Sequence, residues 1–243
     1  MTDSARSAAP RAISPRLLLV AGLFVATLVT SNIIAVKLTA LGPFTVPAAM
    51  VIFPLSYLFG DVLTEVWGYA TARMVIWTGF AANIVVVCFI AIAVAAPSSP
   101  AYANGDAYSA VLGMTPRIVI ASLVAYLCGE FVNSFVLAKL KLATSGRLLW
   151  TRTIGSTLIG QGIDTVIFIS IAFAGVLPFP VLRTVMRDQW ILKVLYEVVA
   201  TPFTYAVVAW LKRREGIDTY DRHTDFTPVP LATLRAWVGG IAR

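Results

Sequence analysis

Six long apolar stretches separated by short polar connections take up most of the chain: Leu17–Leu41, Val46–Trp67, Met74–Ala96, Ile118–Leu140, Ile154–Leu177 and Trp190–Leu211. Each reaches the roughly 20 residues that a helix needs to cross a bilayer core. The pattern predicts an all-α polytopic membrane protein with six transmembrane helices, one domain over 17–212. Residues 1–16, rich in Ala, Ser, Pro and Arg, read as a mobile leader, and 213–243 as a tail. Within that tail, LATLRAWVGGIAR reads as an interfacial helix anchored by Trp237 or, alternatively, as a disordered end. Gly42-Pro43 and Pro47 predict a tight turn into span two, and Ala107–Met114 a short helix in the longest connection. Pro54 and Pro202 fall inside spans two and six, where each is expected to kink its helix.

Five carboxylates interrupt the apolar pattern: Asp61, Glu65, Glu130, Asp164 and Glu197. At the centre of a spanning helix a carboxylate costs about 2.5–3.5 kcal/mol on insertion scales, and the usual reason to carry one is a polar cavity that handles ions, protons or a substrate. Asp61 and Glu65 are four apart and share a helix face. For Glu65, interfacial solvation or a pairing with Arg73 competes with a role in a site. Glu130 has Asn133 one turn on, and Asp164 has Gln161 one turn before it. Each couple joins a carboxylate to an amide, offering acceptors and donors together. Glu197 follows Lys193 by one turn, so an internal Lys193–Glu197 salt bridge competes with ligand contact. Asn32 and Asn83 extend the polar lining to spans one and three, while Lys37 can snorkel to the membrane surface. Gly129, Gly155, Gly160 and Gly162 permit close helix packing or room for a flat ligand.

Composition narrows the function. With 58% hydrophobic residues and a mean hydropathy of +0.83, the 243-residue chain has no room for a separate soluble catalytic or nucleotide-binding domain. Its net charge of +7 invites nucleic acid as a partner, but the basic residues are spaced by topology. Arg6, Arg11 and Arg16 precede span one, and Arg73 follows span two. Lys139, Lys141, Arg147 and Arg152 lie between spans four and five, and Lys212, Arg213 and Arg214 follow span six. The positive-inside rule then places both termini in the cytoplasm, with Arg183 and Arg187 as the exception. The first apolar segment is too long for a signal peptide and reads as retained. Cys88 and Cys128 fall within spans and His223 in the tail, so a metal centre has almost no ligands and no cofactor is expected. An intramembrane enzyme is the remote alternative, since no Ser–His arrangement or metal-binding loop accompanies the acids.

Ser31–Leu38 in span one echoes Asn133–Leu140 in span four, and Asp61 pairs in the same sense with Asp164. An inverted repeat of three spans per half would produce this echo, and so would coincidence.

Longer motifs carry a resemblance. SNIIAVK (31–37), FPLSYLFGDVLTEVWGY (53–69), CGEFVNSFVLAKLK (128–141), WTRTIGSTLIGQGIDTVIF (150–168) and KVLYEVVATPFTYAVVAWLK (193–212) resemble the queuosine precursor transporter family, also described as a vitamin uptake transporter family. The tail pieces Asp218-Thr219-Tyr220-Asp221 and Asp225-Phe226-Thr227-Pro228 extend the match. The resemblance implies a six-helix inner-membrane protein, similar in fold to the substrate-binding subunits of energy-coupling-factor vitamin importers. It also implies import of 7-deazaguanine bases, cyano- or aminomethyl-substituted, for queuosine synthesis. The expected substrate-binding residues are Glu130, Asp164, Asn133, Gln161, Asn32, Asp61, Glu197, Lys193 and Phe131. Glu130 or Asp164 would accept the ring N1–H and exocyclic amine, and Phe131, Trp67, Tyr126 and Phe168 are the aromatic walls on offer. The expected partners are this small-molecule base and the lipid bilayer. A homodimer and separate ATPase subunits stay open, the latter as the alternative in which the chain only captures substrate.

Overall fold

A computed structural model describes residues 14–221, 224, 226 and 227. The first thirteen residues, His223, Asp225 and the amphipathic stretch with Trp237 lie outside the described residues. The elements run α1 (Pro15–Ile34), β1 (Leu38–Leu41), β2 (Phe44–Pro47), a 3₁₀ turn (Ala48–Val51), α2 (Phe53–Trp67), α3 (Tyr69–Ala95), α4 (Gly105–Leu112), α5 (Thr115–Ala143), α6 (Leu149–Phe173) and α7 (Phe179–Glu215). Five of the segments are long and apolar enough to cross a membrane: α1, α3, α5 together with α4, α6 and α7. The chain is an all-α polytopic membrane protein with one small hairpin.

Sequence and structure part at span two. The apolar run through Leu41 is not one helix, because α1 ends at Ile34 and Leu38–Leu41 pairs antiparallel with Phe44–Pro47. Gly42, at φ +58°, supplies the positive φ that a two-residue hairpin loop demands. The helix that follows, α2, has 15 residues, about 22 Å of rise, so it does not span a bilayer core alone. Pro54 does not kink it. It lies in the first turn, where a missing N–H leaves no bond unmade. Pro202, by contrast, is inside α7 as expected. That helix begins 11 residues before Trp190 and takes in Arg183 and Arg187, so those two cations belong to a helix and not to a loop.

Polar and apolar residues are distributed as a bilayer requires. Phe89, Ile92, Val199 and Phe203 face outward, while Asp61, Glu130, Asn133 and Ser134 are sealed inside. Aromatic rings of Phe24, Tyr57, Tyr69, Phe80, Tyr126 and Phe131 fill one part of the core, and a second cluster around Ile118, Ile169 and Phe173 fills the other. Between α5 and α6 the backbones touch. A Cβ on Gly129 would lie 2.9 Å from the Gly160 carbonyl oxygen, and one on Gly160 2.8 Å from that of Gly129. These two glycines therefore serve packing. Arg16 at the start of α1 bonds Glu215 at the end of α7 across 2.8 Å, which puts the two helix termini at one end of the bundle.

Candidate functional site

The α2–α3 junction, the α5–α6 junction and the end of α7 meet in an ion network. Glu65 is 1% exposed and sits 2.5 Å from Arg152, with Lys212 at 3.4 Å and Lys141 at 3.6 Å. Lys141 also donates to the Glu65 carbonyl at 3.0 Å and to the Thr219 carbonyl at 2.7 Å. Asp218 completes the group, 3.0 Å from Lys141 and 2.8 Å from Lys212. Partial burial works to raise the Asp218 carboxyl, but hydrogen bonds from Lys212 and Lys141 and their charges outweigh it and hold the group below the usual carboxylate value. Three residues on, Asp221 accepts the Tyr69 N–H at 3.1 Å and so satisfies the exposed N-terminus of α3. Arg73 does not meet Glu65. It donates to the Thr227 carbonyl at 2.7 Å and stands over the Tyr69 ring. The tail motif seen in the sequence is thus stitched to the bundle end by charge and main-chain bonds.

One turn away from Glu65 the environment changes. Asp61 accepts from the Asn133 amide at 2.9 Å, and Glu130 from the Ser134 hydroxyl at 3.3 Å. Asp164 forms a buried ion pair with Lys193, whose ammonium lies 5.7 Å from the Tyr57 ring centre. Lys193 therefore reaches across to α6, and among the described residues the ion pair it forms is with Asp164, not the internal Lys193–Glu197 bridge that competed with ligand contact. Asn32 donates to Asn83 at 2.7 Å, joining α1 to α3. Among the described residues no ion pair reaches Asp61, Glu130 or Glu197, and one oxygen of Asp61 and one of Glu197 have no hydrogen-bond partner.

A small cleft lies beside the Asp164–Lys193 pair, with a cavity volume of about 30 Å³, room for little more than a water molecule in this conformation. Its polar lining is Ser31, Asn32, Ser122, Asp164, Gln189 and Lys193, all buried. Its apolar lining is Ala35, Pro47, Ala49, Met50 and Phe168. Pro47 at the hairpin base and Ala49 and Met50 in the 3₁₀ turn line one side.

Of the residues singled out in the sequence, Asn32, Asp164 and Lys193 line this cleft. Asp61, Glu130, Asn133, Gln161 and Glu197 do not line it; all five are buried. Phe131 stands elsewhere, packed against Tyr69 and Trp77 at ring distances of 6.5 and 6.4 Å. Tyr126 lies in the same aromatic cluster, and Trp67 packs on it, so Phe168 is the aromatic wall that the cleft uses. Sequence reasoning missed Ser31, Ser122 and Gln189. Gln189 was within reach, since it lies four residues before Lys193 and shares its face, but a helix assumed to start at Trp190 excluded it.

A multi-pass helical bundle with a small cleft among its helices is an arrangement that membrane transporters use, and the comparisons with known proteins give the class. The model of the family described as "Putative vitamin uptake transporter" matches residues 47–207, and the chain belongs to that family. It is 29% identical over 181 residues to the "Probable queuosine precursor transporter" of Bacillus subtilis (strain 168), covering 73% of this chain and 78% of that protein. No solved structure matches.

Proposed function

We propose that this protein imports queuosine precursors, 7-deazaguanine bases bearing a cyano or aminomethyl group, across the inner membrane. The observation that carries the reading is the buried Asp164–Lys193 pair set in the cleft beside Asn32 and Gln189. A deazaguanine presents two adjacent donors, its ring N1–H and exocyclic amine, next to one carbonyl acceptor. A carboxylate takes two parallel donors, and an ammonium supplies the donor for the carbonyl. Asp164 and Lys193 offer that sequence of groups in order. Gln189 Oε1 has no partner among the described residues and suits a further donor on the base. Phe168 and Met50 supply the flat and adaptable apolar contacts that a ring needs. The name of the similar Bacillus protein supports the same substrate class.

The positive-inside rule places the ion network in the cytoplasm together with both termini, and the hairpin outside. The cleft then lies toward the outer side, where an importer takes up its ligand. Purified protein in liposomes tests this. Labelled 7-cyano-7-deazaguanine is expected to enter without added ATPase subunits, and unlabelled cyano and aminomethyl bases to compete where adenine does not. Asp164→Asn is expected to lower uptake at least tenfold; full uptake by that variant would end the assignment. Binding without uptake would favour a capture subunit that needs an ATPase complex.

A further inference from the structure

Four carboxylates inside the bundle, Asp61, Glu130, Asp164 and Glu197, lie close enough to repel one another. Lys193 compensates one of them, Asp164. What the group is short of is cations. Asp61 Oδ2, Glu197 Oε1, Asn133 Oδ1 and Gln161 Oε1 are buried without a partner among the described residues. The hydroxyls that face the acids, Tyr126 toward Glu130 and Tyr57 toward Asp164, are neutral donors and balance no charge. Asn133 is fully buried and already donates to Asp61 Oδ1, so its amide is built into the group. A carboxylate that takes a proton removes one of the uncompensated charges and gains an O–H donor. A coordinated metal ion fits less well, because among the described residues no set of three or more His, Cys, Asp or Glu side chains is placed to hold one.

The same group is wired to the cleft. Glu130 and Asp164 interact electrostatically across a close approach of α5 and α6, where a Cβ on Gly129 would run 2.6 Å from the Cβ of Asp164. Asp164 lines the cleft, so a ligand that draws on its carboxylate alters the field at Glu130. Coupling of this kind is reciprocal: whatever proton loading does to ligand affinity, ligand does to proton affinity. The other titratable groups facing the acids are Tyr57 and Glu65 from α2, Tyr126 from α5, and Lys193 and Tyr196 from α7. Glu65 is held by its own cations, and Lys193 by Asp164.

We propose that Asp61, Glu130 and Glu197 form a proton-binding site linked to the cleft, so that the carrier moves its substrate together with protons. The proposal rests on the reading of the chain as a carrier. In each cycle a carboxylate and a proton combine to a carboxylic acid on the outer side, and the O–H bond breaks to release the proton inside. The charge of the group returns to its starting value.

Proteoliposomes holding a trapped pH-sensitive dye test it with labelled 7-cyano-7-deazaguanine as the probe. With the outside acidic, label is expected to accumulate at least threefold above equilibrium while the dye reports internal acidification in step. A protonophore removes the accumulation and leaves exchange of labelled for unlabelled base intact. Glu130→Gln is expected to lose accumulation and the internal acidification together; Glu197→Gln, outside the cleft as well, is the second variant and is expected to do the same should the first fail to fold. Exchange by the parent protein that ignores the pH gradient, or accumulation driven by sodium instead, overturns proton coupling and leaves the carrier reading standing. No exchange and no binding overturns both.

Discussion

Asp61 and Glu65 stand one turn apart on α2, both sealed from solvent, and their surroundings are opposites. Glu65 meets Arg152, Lys141 and Lys212, brought by three different helices, with Asp218 closing the group. Asp61 meets an asparagine amide and other acids. The first arrangement matches each charge with an opposite charge and ties helix ends together. The second leaves acids in excess inside a membrane protein, which structure alone has no use for. Buried acids in excess of the cations that could balance them are therefore one mark of a working site.

Glu65→Gln attacks the balanced region and carries the largest expected effect. It strands Arg152 and Lys141, each nearly inaccessible to solvent, beside Lys212. Breaking a buried pair by removing one partner costs about 3–5 kcal/mol. Unfolding in detergent is expected to shift accordingly, with loss of uptake following loss of folded protein. A variant as stable as the parent would erase the distinction between the two regions. On the other side of the comparison, Asp164→Asn combined with Lys193→Met removes both members of the cleft pair. Because no lone charge is left behind, the fold is expected to survive while uptake falls tenfold or more, a loss of about 1.4 kcal/mol or beyond. Uptake and stability falling together would place this pair with Glu65 as scaffold.

A smaller effect separates the tail from the bundle. Asp221→Ala removes the acceptor for the first N–H of α3 while leaving the Glu65 network intact. Loss of a helix cap of this kind costs about 0.5–2 kcal/mol. Limited proteolysis is expected to cut the segment after Gly216 sooner in this variant, with uptake kept in the uncut fraction.

Much of this was legible from spacing alone. Five long helices, the short helix α4, the Gly42-Pro43 turn and the burial of every mid-span acid all follow from hydropathy and from where Gly and Pro sit. What could not be read was who meets whom. Helix faces fix which residues of one segment point together, yet the partner of Lys193 is Asp164 on α6 and not Glu197 one turn along α7. Likewise the cations around Glu65 come from α5, α6 and α7, while Arg73, nearer in sequence, goes to the tail. The hairpin escaped because Leu38–Leu41 and Phe44–Pro47 are as apolar as the helices beside them, and apolar runs of this length do not distinguish strand from helix. Gln189 escaped for a related reason: the helix was started at the apolar boundary, whereas α7 continues 11 residues beyond it.

The smallest test compares two lysines two residues apart on α5. Lys141 is 3% exposed and holds Glu65, Asp218 and the Thr219 carbonyl together; Lys139 faces outward, with its ammonium 4.6 Å from the Phe226 ring centre. If charge matching inside the network is what fastens the tail, Lys139→Ala should cost no more than about 0.5–1 kcal/mol, the worth of an exposed cation–π contact. Lys141→Ala should cost several times as much, because it leaves Asp218 and two main-chain carbonyls short of a donor. Melting of the two variants side by side reads the ratio. Equal losses would mean that the tail is held by its aromatic contacts, Phe226 on Tyr69 and Phe135, and that the ions around Glu65 only bind the helix ends to one another.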